Sequence, residues 1–310
     1  MATPQVVEKK PNIEAVSYGR LTWLNIEQPT PQETEYLAQN YPFHPLDLDD
    51  CLSRLQRPKI DEYEDYLFMV FHFPVFNKMT RVTTPSQVSI FLGEDYLITL
   101  HAGDLKPLVK LFRECQMEEQ AREQTMGHSS GFLLYHILDH LVNYCFPILN
   151  KVVANIEEVE DRIFSDTARG AVRDIAVLRR DILHYRRIIK PQVEVFESLE
   201  QRERPFLRED PEIYFGDIAD HIRKIRDTLE DYKEIVEGLT DTTNALTSFR
   251  INQVMRFLTI ISVIMLPLTV IASIYGMNFT QMPFLDSPSA FAVTLVIMFL
   301  IIVGMLTFFK

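Results

Sequence analysis

Gly276-Met277-Asn278 stands where an uncharged run ends and a short loop begins, and its last residue offers chemistry suited to a metal ion that keeps its water. An asparagine amide is neutral, and a ring of such side chains bonds the water shell of a cation without stripping it. Magnesium fits that arrangement, because it dehydrates reluctantly and usually keeps several waters. Other side chains with ligand chemistry lie upstream. Asp217 and Asp220 share a helical face at i, i+3, where most such pairs are surface carboxylates. His136, Asp139 and His140 have a spacing that could hold a metal on one helix face, but no further ligand is identifiable. Glu157-Glu158-Val159-Glu160-Asp161 is most simply a solvated acidic face, and His72 and His101, in or at the end of strands, read as packed histidines.

The elements that must position the tripeptide are two apolar runs. Residues 257–274 and 290–309 contain 18 and 20 residues with no charge, each near the ~20 that span a bilayer. Buried core helices are the alternative, and two adjacent uncharged runs of this length weigh against it. Arg250, Arg256 and Lys310 flank the pair while the loop 279–289 has no Lys or Arg, so both termini are expected on the cytoplasmic side. The second run is almost wholly apolar, with Thr294 and Thr307 as hydroxyls that a helix can bond back to its own carbonyls. The first carries Asn252, Met255, Thr259, Ser262, Leu266, Thr269 and Ser273 at steps of three or four, one face leading to Gly276. For a single Ser or Thr, helix packing is the common account; a whole stripe ending in an asparagine is better explained by water. Two spans cannot enclose a pore, so a water-lined face requires a ring of identical subunits.

Composition agrees with a membrane-anchored body. Of 43 acidic residues only Asp286 follows position 250, and of 31 basic ones only Arg256 and Lys310, which leaves the first 250 residues thirteen charges negative. That balance argues against nucleic acid as a partner. Cys51, Cys115 and Cys145 have no metal-type spacing and are expected as reduced thiols, and no apolar signal run opens the sequence. The first ten or so residues read as a mobile tail. Strands are expected at 21–26, 66–73, 87–92 and 96–101, with a turn at Gly93-Glu94-Asp95, and a helix starts with Thr30 as N-cap, Pro31 at the first helical position and Glu33 reaching back. His44-Pro45-Leu46-Asp47-Leu48-Asp49-Asp50 and Gln56-Arg57-Pro58-Lys59 are a turn and a loop by spacing alone. Helical periodicity begins at Phe132, a second long helix covers 171–199 with an irregularity at Pro191, and Ile218, Ile222, Ile225, Leu229, Tyr232, Val236, Leu239 and Leu246 form a seam along one helix over 212–275. Gly238 and Pro267 are tolerable inside it, Pro267 with a kink.

Tyr275-Gly276-Met277-Asn278, after Leu266-Pro267-Leu268-Thr269 and before Met282-Pro283, resembles the CorA family of divalent-cation channels, over most of the chain. The His44–Asp50 and Gln56–Lys59 segments resemble parts of its cytoplasmic domain. The resemblance implies an α+β membrane protein: an N-terminal cytoplasmic α/β domain (1–130), a helical hairpin (131–211), a stalk helix (212–256), a first transmembrane helix (257–274), the GMN motif and external loop (275–289) and a second transmembrane helix (290–310). It implies a homopentamer in the inner (plasma) membrane, with Mg2+ as both transported and regulatory ion. Gly276, Met277 and Asn278 take the selectivity-filter positions, and Asn252, Met255, Leu258 and Thr269 the pore-lining and gate positions. The helical count leaves open whether Leu258 or its neighbour Thr259 faces the axis. The family's regulatory site pairs aspartates at the positions of Asp50 and Asp217 across a subunit boundary, where two carboxylates repel unless a divalent cation lies between them.

Two departures stand out. The family's loop Met-Pro-Glu-Leu is Met282-Pro283-Phe284-Leu285 here, so the external carboxylate ring is missing unless Asp286 replaces it, and the basic tail is reduced to Lys310. Three function classes follow: a Mg2+ channel that can also pass Co2+ or Ni2+, a ZntB-like zinc transporter, and a membrane-anchored signalling or scaffold protein without flux. An enzyme is not expected, since no nucleophile with its base and no phosphate loop appears.

Overall fold

The computed structural model describes residues 11–53, 56–164, 170–202, 204, 206, 207, 210–277 and 289–309. It divides into two compact units, 1–240 and 241–310. The first is built on a six-stranded sheet in the order β1-β2-β6-β5-β4-β3, with β1 Glu14–Tyr18, β2 Leu21–Glu27, β3 Lys59–Glu62, β4 Leu67–Asn77, β5 Val82–Leu92 and β6 Tyr96–His101. Neighbours are antiparallel except β2 and β6, which run parallel with Trp23 opposite Leu97.

Helices cover both faces of the sheet. Helix α1 (Pro31–Asn40) and α2 (Pro45–Leu52) close one core, where Leu37, Phe43 and Leu48 meet Leu24, Ile26, Phe68, Val70 and Phe91. The alternate strand residues face the other layer, made by α3 (Lys106–Met117), α4 (Glu119–Met126), α5 (Ser130–Phe164) and α6 (Ala171–Gln201): Trp23 meets Phe112 edge-on and Phe71 meets Phe196. Because both faces are covered, Leu67–Phe73 is buried throughout, so β4 reads as a continuous apolar run instead of an alternating one.

Several elements depart from the sequence reading. His44–Asp50 is not a turn but the start of α2, because His44 acts as N-cap, its Nδ1 accepting from Leu46 N at 3.2 Å, with Pro45 at the first helical position. Strands β1 and β3 are additional, and β5 begins at Val82 instead of Gln87, with Pro85 inside it. Pro74 lies opposite Pro85, in the same register as His72 and Thr83, whose N–H groups point away from the ribbon to bond Gln192 and Asp181 of α6. Prolines in this register withhold no ladder bond. The cap of α1 is as expected: Thr30 and Glu33 form a reciprocal capping box.

Helix α5 has the length and apolarity of a membrane span, yet its apolar side (Leu134, Ile137, Leu138, Leu141, Cys145) is buried in this unit, and the Tyr185 hydroxyl of α6 donates to Cys145 O at 2.8 Å. It is a core helix. Helix α7 runs Pro211–Tyr275 without interruption through Gly238 and Pro267. Its seam is buried at Ile218, Ile222, Ile225, Leu229, Val236 and Leu239, and burial thins where the first unit ends. In the second unit, the rest of α7 and α8 (Ala290–Phe308) belong to the other two helices with the length and composition of membrane spans among the described residues, and their large apolar side chains lie mostly exposed.

Candidate functional site

In the second unit, the four polar side chains of residues 257–274 are Thr259, Ser262, Thr269 and Ser273. At ~100° per residue they fall within an arc of about 80°, together with Met255 and Leu266. Thr259 Oγ1 donates to Met255 O at 2.8 Å and Thr269 Oγ1 to Met265 O at 2.5 Å. Each hydroxyl hydrogen is thereby spent on the helix, and the oxygen presents only lone pairs. Such oxygens accept from water, and the waters of a hydrated cation point their hydrogens outward. Asn252, Met255, Leu258 and Thr269 are all exposed on α7. In α8, Thr294 and Thr307 bond back to Ala290 O and Val303 O, each at 3.0 Å.

Helix α7 ends at Tyr275, after which Gly276 N donates to Ala272 O at 3.0 Å and Met277 N to Ile274 O at 3.3 Å. A Cβ on Gly276 would lie 3.2 Å from Ala272 O, closer than ordinary contact, so a side chain there must push the last turn. Asn278, and the loop positions Met282 to Asp286, lie outside the described residues.

The first unit holds the acidic positions in two separate clusters. Asp50 lies in the last turn of α2, where Lys59 Nζ meets its Oδ2 at 2.8 Å and Asp61 Oδ2 at 2.5 Å. Burial works against the Lys59 ammonium, but hydrogen bonds to Asp50 and Asp61 outweigh it and hold its pKa above the usual lysine range. Asp217, on α7, instead meets Asp139 of α5 and His221 of its own helix, and their ligand atoms all lie within 4.8 Å of one another. Among the described residues His221 Nδ1 is buried without a partner, and Asn143 donates to Asp139 Oδ1 at 2.8 Å. Two carboxylates and an imidazole form a donor set that fits a divalent cation.

Asp220 does not join them: Arg223 draws it away at 2.5 Å and also pairs with Glu197 and Glu200 of α6. His140 turns its Nδ1 to His136 O at 2.8 Å, so the histidines of α5 do not gather round Asp139. Burial, followed by the neighbouring His140, keeps the His136 pKa below the usual histidine value. The residues that could share a metal with Asp139 therefore come from α7 and not from its own helix. His221 lay one turn from Asp217 and was the available signal; that α5 and α7 meet there has no local signature.

A family model described as "CorA-like Mg2+ transporter protein" matches residues 18–310. The chain belongs to this family. It is 32% identical over 292 residues to the cobalt/magnesium transport protein CorA of Thermotoga maritima, covering 93% of this chain and 82% of that protein. The complete structure of the CorA magnesium transporter from Methanocaldococcus jannaschii superposes with a TM-score of 0.83 at 25% identity, over 94% of this chain and 92% of that one. The zinc transport protein ZntB of Yersinia pestis is more distant, 22% identical over 283 residues, 90% of this chain and 83% of that protein. The CorA architecture of soluble α/β body, long helix and C-terminal helices is thus that of this chain, and as a CorA-family member it is a membrane transport protein, with candidate spans in α7 and α8.

Proposed function

We propose that the chain is the subunit of a homopentameric channel that passes hydrated Mg2+ across the inner (plasma) membrane, with both termini cytoplasmic. The observation that carries the reading is the single arc of hydroxyls on α7, their hydrogens at Thr259 and Thr269 bonded inward, leading to Gly276. In this reading Gly276, Met277 and Asn278 form the filter, and Asn252, Met255, Leu258 and Thr269 line the pore. Residues 1–130 and 131–211 form the cytoplasmic body, 212–256 the stalk, 257–274 and 290–310 the spans, with 275–289 between them. The membrane potential drives entry, at ~2.3 kcal/mol per charge per 100 mV. Relatives named for cobalt/magnesium transport at higher identity than those named for zinc support Mg2+ as cargo.

Internal Mg2+ closes the channel by binding between Asp50 of one subunit and Asp217 of the next, with Asp139 and His221 beside the latter. When the ion leaves, the carboxylates repel and the subunits part. A zinc transporter is the second reading, favoured by the His221 imidazole, since nitrogen suits zinc and cobalt better than magnesium.

Mg2+ flux into liposomes, with Co2+ and Zn2+ as competitors, tests the cargo. Asn278→Ala should abolish entry while the oligomer persists; full flux by that variant rejects the filter assignment, and no flux from the wild type favours a scaffold. Limited proteolysis tests the gate: cutting should slow as Mg2+ rises through roughly the millimolar range, and Asp50→Asn with Asp217→Asn should make it independent of Mg2+.

A further inference from the structure

We infer that Lys59 is a built-in competitor for the divalent cation at Asp50: its ammonium holds the carboxylate when the cation is absent and has to be displaced for the cation to bind. The inference rests on the regulatory reading of Asp50 given above. Its basis is the geometry around one carboxylate. Asp50 sits in the last turn of α2, a turn with no basic residue, where the negative end of the helix dipole disfavours it. The compensating charge comes from another element. Lys59 opens β3, and its Nζ reaches Asp50 Oδ2 at 2.8 Å while lying 5.2 Å from the Phe68 ring centroid. The side chains of Lys59 and Asp50 are 33% and 20% exposed, so the pair is only partly screened.

Lys59 is not needed to place α2. Asp47, at the start of that helix, accepts from Tyr66 at 2.9 Å and Tyr63 at 3.3 Å. At the other end Gln87 Nε2 of β5 donates to Asp50 O at 3.1 Å, and Gln87 Oε1 accepts from Gln56 N at 3.1 Å. With both ends of α2 held by other groups, what Lys59 adds at Asp50 is charge. Asp61, bonded to the same ammonium at 2.5 Å, gives Lys59 a place to remain when a cation takes Asp50. The exchange trades one counter-ion for another without unpairing the lysine, and it sets the sensor toward weak binding.

The test is the Mg2+ midpoint for protection of the full-length protein from proteolysis, with Mg2+ itself as the probe. Lys59→Met should lower the midpoint about two- to fivefold, the range of a partly exposed ion pair. Lys59→Cys should shift it in the same direction, and aminoethylation of that cysteine, which restores an ammonium, should return it to the wild-type value. The native Cys51, Cys115 and Cys145 are all buried, so the reagent finds position 59. A midpoint unchanged or raised in both variants, or untouched by aminoethylation, overturns the competition while leaving the regulatory site intact. Asp50→Asn separates the two ideas: full Mg2+ protection in that variant rejects Asp50 as a ligand, and the competition with it.

Discussion

His101 shows how a residue with ligand chemistry is taken up by packing. Its Nδ1 accepts from Gly103 N at 3.0 Å and its Nε2 meets Asn25 Oδ1 at 2.9 Å, an arrangement satisfied only by the neutral ring with hydrogen on Nε2. Protonation would set a second N–H against the Gly103 donor, and burial, with Asp104 opposing, depresses the pKa to about 4. The unfolded chain binds this proton near pH 6.5 and the folded one only near 4, so the contribution of His101 is full above 6.5 and lost as pH falls through that window, by up to ~3 kcal/mol. Trp23, the single tryptophan, is fully buried and bonded to Thr99 beside this histidine, so its fluorescence reports unfolding here. Stability should fall between pH 6.5 and 4, and His101→Gln should have a flatter profile in that window; parallel profiles would reject the assignment. At the Asp139–Asp217–His221 cluster, His221→Ala should weaken Co2+ binding about tenfold or more and Mg2+ binding far less, because only the nitrogen donor is lost. Equal losses in calorimetric titrations would place His221 outside the ligand set.

At the scale of elements, α6 closes what the sheet leaves open. Gln192 Oε1 accepts from His72 N at 2.9 Å and its Nε2 donates to His72 O at 2.5 Å, so one amide replaces a strand along the part of β4 beyond β3. Gln192→Leu keeps the volume but strands two buried backbone groups, and should cost about 2–4 kcal/mol by Trp23-monitored denaturation; a loss below ~0.5 kcal/mol would mean that water serves the edge equally well. None of this was legible in the sequence, because an isolated glutamine in an apolar helix face has no local reading. The strands at 21–26 and 96–101 and the cap at Thr30 were legible because their signals are local. Helix α2 was missed because histidine is an uncommon N-cap, and the cluster at Asp217 because its members come from two helices far apart in the chain.

The whole molecule poses the question that one chain cannot answer alone, since α7 and α8 offer two candidate spans and a pore needs several. If five copies place the α7 arc inward, Met255 stands in the narrow cytoplasmic part of the pore, and its thioether side chain closes the path by excluding water. Met255→Asn should wet that ring and raise Mg2+ entry about tenfold or more at internal Mg2+ high enough to close the wild type, a barrier change of ~1.4 kcal/mol. Phe257 lies about 160° round the helix from Met255, so Phe257→Asn places the same polar group away from the axis and should leave closure intact. The comparison distinguishes a pore from a general disturbance of the span. If both variants leak alike, the amide acts by loosening the helix in lipid; if neither does, Met255 does not face the axis, and the rotation of α7 about its own length, on which Asn252, Leu258 and Thr269 also depend, has to be reassigned.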